Sequence, residues 1–252
     1  SIGHTKELPS RNRTVLICLI REETNPLSTR FELRSPNPKS NTYLVIATSC
    51  LAMLDGIEKA LKAQKTPDEL LESLSKQHGV EDFYLETERE YRSERNVFEE
   101  FTPAERDKYF GFAPRTVWEN LEAFNKYPEK TKVILDDDVI PKIALESYKK
   151  AVLDQWSGEL GHRIVNNNRK YIRNCTKLHD DHNAYDDEAF ALVDELRNYI
   201  AKDGNGTKSL LSRITAALDE KDYALASDLQ LEMQEKMATL TELYINYKRN
   251  IF

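Results

Sequence analysis

Arg30-Phe31-Glu32-Leu33-Arg34 sets two guanidiniums and a carboxylate at every second position. In an extended strand alternate side chains share a face. Arg30, Glu32 and Arg34 are therefore expected to project together, with Phe31 and Leu33 as apolar anchors on the other side. Guanidiniums grip phosphate or carboxylate oxygens through forked hydrogen bonds, and a carboxylate between them can ligate a divalent cation. The same alternation also suits a solvated edge strand, whose exposed ion pairs contribute little.

The surrounding sequence must hold this strand. Val15 to Ile20 is a short apolar run rich in β-branched residues, flanked by Arg13 and Arg21, and reads as a buried strand. Asn25-Pro26 marks a turn, so the two strands are expected to pair antiparallel. Ser35-Pro36-Asn37-Pro38 breaks the pattern. A helix is then expected from Ser40 or Asn41 to about Lys62, with Leu44, Ala47, Leu51, Leu54 and Leu61 on one apolar face.

Thr66-Pro67-Asp68-Glu69 and Thr102-Pro103-Ala104-Glu105 both read as capping boxes with proline at the first helical position. Their helices should end at Gly79 and Gly111. The charged, aromatic stretch 80–100 fits strand, helix or loop. Pro114 to Phe124 is helical, and from Asp136 on the chain reads as almost wholly helical. A stripe of Leu135, Ile140, Ala144, Tyr148, Val152 and Trp156 is expected, with soft points at Gly158 and Gly161. Gly204-Asn205-Gly206 reads as the clearest linker. In the last helix Leu229, Met233, Lys236, Leu240, Leu243 and Tyr247 alternate by four and three, a seam for bundle core or for another subunit.

Composition narrows the class. The chain has 252 residues, 31% charged and 40% hydrophobic, with a net charge of -7. That acidity argues against a dedicated nucleic-acid binder, although a local arginine cluster can still hold anions. No apolar run reaches the roughly 18 residues of a membrane span. The three cysteines, Cys18, Cys50 and Cys175, lack metal-ligand spacing and read as free thiols in a reducing, cytoplasmic setting.

Taken together, Asn12-Arg13-Thr14, Arg30 to Arg34, Ser35 to Pro38, Asn41 to Leu44 and Leu54 to Ile57 resemble the ordered motifs in the C-terminal part of the glutamine synthetase catalytic domain. The resemblance covers roughly residues 10 to 62. It implies an arginine contacting the transferred phosphoryl group and nucleotide at Arg13, and a nucleotide-binding arginine at Arg30. It implies a magnesium or manganese ligand at Glu32 and a glutamate-binding arginine at Arg34. The implied reaction is ATP-dependent ligation of ammonia to glutamate through γ-glutamyl phosphate, in a homo-oligomer. One departure is Cys18, which stands where the family usually has a further arginine.

The family's other metal ligands lie upstream of these motifs. The expectation is a C-terminal fragment, inactive by itself. Its architecture is expected to be α+β and predominantly α: a strand pair in residues 1–65, then a helical bundle in 66–252. Two other readings stay open, a γ-glutamyl–amine ligase of the same superfamily and a non-catalytic helical assembly or regulatory module.

Other motifs carry less. His179-Asp180-Asp181-His182 suits a polar inter-helix loop better than a metal pair, and Asp136-Asp137-Asp138 suits a helix start. His78 and His162 read as helix-end residues. Asp222 to Met237 is only compositionally similar to a paired-helix motif of excision-repair proteins. Gly204 and Gly206 lack the following Lys-Ser/Thr of a phosphate loop.

Overall fold

A computed structural model describes residues 14–20, 24–83, 85–93, 95–111, 113–179, 183–204 and 206–249. The described chain is α+β and predominantly α: one antiparallel strand pair and a series of helices. It forms two compact units, residues 1–113 with 129–141, and residues 114–128 with 142–252.

In the first unit β1 (Ile17–Ile20) pairs antiparallel with β2 (Arg30–Leu33), placing Cys18 opposite Glu32 and Ile20 opposite Arg30. The ribbon extends one step further, because the Arg34 amide donates to the Leu16 carbonyl at 2.9 Å. α1 (Thr42–Ala63) starts where expected: the Asn41 side chain accepts from the amides of Tyr43 and Leu44, and left-handed Gln64 closes it. Its expected apolar face is largely uncovered. Leu51 is buried, whereas Leu54 and Leu61 are exposed.

α2 (Pro67–Ser73) and α3 (Pro103–Phe110) open with the expected capping boxes, complete in both directions. α2 stops well before Gly79. Lys76 turns away to donate to the carbonyls of Thr87 and Arg89, and the Gly79 amide donates to the Thr87 carbonyl, so the segment ties itself across the loop. The described residues of 80–100 form turns and irregular chain with isolated bridges, one of them between Asp82 and Leu85. The guanidinium of Arg89 caps the end of α3 by donating to the carbonyls of Asp107 and Lys108, both at 2.6 Å. Gly111 follows at φ +91, a backbone that L side chains rarely adopt. α5 (Pro128–Ile134) has proline at its first position and was not foreseen.

The second unit holds the large core. It contains α4 (Val117–Lys126), α6 (Lys142–Gly158), α7 (Val165–Asn174), α8 (Ala184–Ala201), α9 (Leu210–Asp219) and α10 (Tyr223–Arg249). α10 packs on α9, α8 and α4. Leu229, Met233, Leu240 and Tyr247 of its expected seam are buried in this core. Two polar pairs fix register inside the unit: Trp156 Nε1 donates to Gln230 Oε1 at 2.8 Å, and the Thr116 and Ser227 hydroxyls meet at 2.7 Å.

The expected stripe holds at Ile140 and Trp156, which are buried, but not between them: Ala144 and Tyr148 are exposed, and Leu145, outside the stripe, is buried instead. Asp136–Asp138 forms a turn of 3-10 helix, with Asp137 and Asp138 at positive φ, and does not open α6. The expected soft point is a π-helical turn, Glu159–Ile164, joining α6 to α7. Gly161 lies close to α9 there: a Cβ would come 3.2 Å from Leu218 Cδ1, a tight contact that the leucine side chain would have to ease by a few tenths of an ångström. Gly204 and Thr207 bridge across a tight turn between α8 and α9, which pack together. The glycine pair is thus a turn inside one unit and does not link domains.

Candidate functional site

The candidate site is the face of the ribbon that carries Arg30, Glu32 and Arg34. Glu32 and Arg34 share that face as the alternation requires. Arg34 Nε donates to Glu32 Oε1 at 2.7 Å, with both side chains half-exposed. Arg30 is exposed and its guanidinium folds back, donating to the Ser28 carbonyl at 3.0 Å. Arg13 lies outside the described residues. Paired strands put directly opposed residues on one face, so the Cys18 side chain is the cross-strand neighbour of Glu32. Cys18 is buried at 1% exposure, so the charged face is backed by covered chain.

The apolar anchors are a correction. Phe31 is 74% exposed and Leu33 39% exposed. The alternation assigned the two faces, but the buried residue, Cys18, lies on the charged face, and Phe31 and Leu33 on the apolar face are open. Charge alternation reports which side chains share a face and carries no information on which face meets the core.

Chemically, the face offers a guanidinium–carboxylate pair next to a second guanidinium. It can bind an anion, and Glu32 can give one carboxylate to a cation. A hard cation needs about six oxygen ligands. Among the described residues no group of three or more His, Cys, Asp or Glu could hold a metal ion.

The remaining polar features have local roles. His179 Nδ1 lies 3.0 Å from Oδ1 of Asp186, a fully buried carboxylate that also meets the Tyr247 hydroxyl at 3.4 Å. The Tyr247 hydroxyl accepts from the Leu178 amide at 2.9 Å, and Lys177 pairs with Asp187. Together these contacts staple the loop after α7 to α8 and α10. Asp180, Asp181 and His182 lie outside the described residues.

His78 stacks on Tyr109 and meets Glu90 at 3.0 Å, in a loop, while His162 sits in the π-helical turn. Neither occupies the helix-end place expected for it. A polar hollow of about 480 Å³ by α2 is lined by Lys65, Ser73, Lys76 and Asp82. Within it Lys65 Nζ lies 2.5 Å from Asp82 Oδ1. The Lys65 hydrogen bond holds the Asp82 carboxyl below its ordinary range.

Comparison with known proteins bears on the segment that contains the ribbon. Residues 7–88 match the family described as glutamine synthetase, catalytic domain. That is a ligase-type catalytic domain, and the match encloses the ribbon, α1 and α2. One relative is a glutamine synthetase of Rhizobium meliloti (strain 1021), 42% identical over 65 residues. The aligned part is 26% of this chain and 14% of that protein, so this chain spans a small share of its relative's length. No solved structure matches. The second unit lies wholly outside the matched residues. Among the described residues no helix is long and apolar enough to cross a membrane.

Proposed function

We propose that residues 1–65 contribute one wall of a glutamate–ammonia ligase site, and that residues 66–252 form a helical domain. In this reading ATP transfers its γ-phosphoryl group to the side-chain carboxylate of glutamate, releasing ADP. Ammonia then attacks the γ-glutamyl phosphate and phosphate leaves with the bonding pair. Arg13 and Arg30 neutralise phosphate charge, which fixed guanidiniums do well because they need no reorganisation as charge develops. Arg34 holds the carboxylate of glutamate, with Glu32 keeping its guanidinium oriented. Glu32 is the carboxylate that faces magnesium or manganese. The other oxygens such a cation needs come from outside these residues, so turnover belongs to the assembled, oligomeric, cytoplasmic enzyme.

One observation carries the reading: Glu32 and Arg34 stand joined on one ribbon face within the very residues that match the catalytic family. The test is a graft in which this chain's ribbon and α1 replace the 65 aligned residues of the Rhizobium meliloti synthetase. The graft should make glutamine from ATP, glutamate and ammonia. Arg34→Ala should raise KM for glutamate at least tenfold, about 1.4 kcal/mol or more. Glu32→Ala should lower metal-dependent turnover. Unchanged kinetics for both variants would refute the assignment. Measuring other amines against ammonia in the same graft tests the γ-glutamyl–amine alternative.

A second reading concerns the helical unit alone. It has its own dense core and lies outside the match, which favours a role in assembly or regulation over chemistry. Light scattering on the chain reads this directly, since an assembly role requires a stable oligomer.

A further inference from the structure

Charge is unevenly spread along the chain. From Leu160 to Leu178 the sequence carries Arg163, Arg169, Lys170, Arg173 and Lys177 and no Asp or Glu, although the whole chain has a net charge of -7. Packing turns much of this charge outward. α7 buries Val165 and Ile172, and Cys175 just beyond its end is buried too. At 3.6 residues per turn the opposite arc of the helix runs through Arg173, Asn166, Lys170, Asn174 and Asn167, all of them exposed. Arg163 is paired with Glu159 and Lys177 with Asp187, whereas among the described residues no carboxylate pairs with Arg169, Lys170 or Arg173. The Debye length is about 10 Å at 0.1 M salt, so acids farther off than that contribute little to the potential over this arc. Where the arc ends, a groove between α7 and α10 begins. Its volume is about 860 Å³, and its lining includes Asn167 and Tyr171 from α7 and Thr241, Glu242, Asn246 and Arg249 from α10. That volume lies in the range of ligand sites.

We infer that the α7 arc and the α7–α10 groove bind a single strand of nucleic acid. Lys170 and Arg173 on α7 and Arg249 on α10 take its phosphates, and the groove takes its bases. Tyr171 offers a ring on which a base stacks. The carboxamides of Asn167 and Asn246 both donate and accept, as base edges require. Other anions leave part of this set unmatched. The carboxylates of an acidic peptide only accept, so they have no use for amide oxygens or for an aromatic lining. A duplex keeps its base faces stacked and leaves Tyr171 nothing to stack on. A bilayer would require apolar side chains turned outward, and Val165 and Ile172 of α7 are buried. Glu242 is the one carboxylate in the groove lining, and it opposes a phosphate. The inference concerns the second unit alone and does not depend on the ligase reading.

The test mixes the full chain with a fluorescent oligouridine or oligothymidine strand of about twelve nucleotides. Binding is followed by anisotropy between about 50 and 200 mM salt. Saturable binding is expected, with log K falling linearly against log salt. Its slope should be about -2, the sum of roughly 0.7 for each phosphate met by Lys170, Arg173 and Arg249. Lys170→Gln with Arg173→Gln should weaken binding about tenfold and flatten the slope by about 1.4. Lys170→Arg should preserve both. Asn167→Ala should weaken binding several-fold and leave the slope unchanged, because it removes a base contact and no phosphate contact. Glu242→Gln should tighten binding. All four positions are exposed, so these changes report on contacts with the strand and not on folding. Absence of saturable binding at the lower salt overturns the inference, as does full affinity in the Lys170→Gln, Arg173→Gln variant. So does a duplex, a polyglutamate of equal charge or an anionic vesicle held as tightly as the single strand, since charge alone would then account for binding.

Discussion

The ribbon with α1 and the helical unit solve the same problem in opposite ways. In the helical unit α7 to α10 bury their apolar side chains against one another, and buried hydrogen bonds hold α4 and α6 in register with α10. α1 is as regular a helix, yet only Leu51 among its residues is buried. Local signals therefore suffice to define α1: an asparagine cap, good helix formers and a left-handed closing residue. They do not anchor it. The side chains that could do chemistry sit on the region with least cover of its own, and the region with most cover has none of the matched motifs.

The difference should appear first as a gap in sensitivity to truncation. Leu160 is fully buried in the second unit, and Leu160→Ala should cost about 2 to 5 kcal/mol. Met53→Ala on the open stripe should stay within about 0.5 kcal/mol. Both tryptophans, Trp118 and Trp156, lie in the second unit, so urea unfolding followed by tryptophan fluorescence reads that unit alone. Exchange of the α1 amides, read by mass spectrometry, then supplies the other side. A Met53→Ala loss as large as that of Leu160→Ala would erase the contrast.

A smaller effect tests what fixes register inside the dense unit. Trp156→Phe keeps most of the apolar volume but removes the donor to Gln230, leaving a buried amide oxygen unpaired. The expected cost is about 1 to 3 kcal/mol. Adding Gln230→Leu should recover part of it, since replacing both partners by apolar groups removes the desolvation penalty. If the double variant is no more stable than the single one, the hydrogen bond is not what sets the cost.

What could be read from the sequence follows the range of the signal. Asn41, Thr66, Thr102 and Ser209 each cap a helix through a side-chain oxygen, an interaction within three residues that needs no tertiary information. The β1–β2 pairing and the Glu32–Arg34 neighbourhood follow from two-residue alternation and one turn. The exposure of Phe31 and Leu33, the early end of α2 and the shifted stripe of α6 each depend on distant residues. For α2 those residues are the carbonyls of Thr87 and Arg89, to which Lys76 turns. Asp186 shows the same limit, because nothing in its neighbours signals that Tyr247, far along the chain, would meet its carboxylate.

The smallest expected effect separates local from tertiary stability in the first unit. Hydrogen bonds from the Thr102 backbone and side chain hold the Glu105 carboxyl below its ordinary value, and the Thr66 backbone and side chain do the same for Glu69. A carboxyl whose folded value lies below its unfolded one stabilises the folded state above the unfolded value, and that contribution disappears as pH falls through the folded value. Acidification from neutral to below the ordinary carboxylate range should therefore loosen the first turns of α2 and α3 before the buried core of the second unit responds. Amide exchange at Glu69 and Glu105 should accelerate over that window, beyond the intrinsic pH dependence of exchange. In a Glu69→Gln, Glu105→Gln variant the extra acceleration should be absent, because the amide cannot titrate. If exchange in α9 accelerates in step with them, the two units unfold together and the local account of α2 and α3 is wrong.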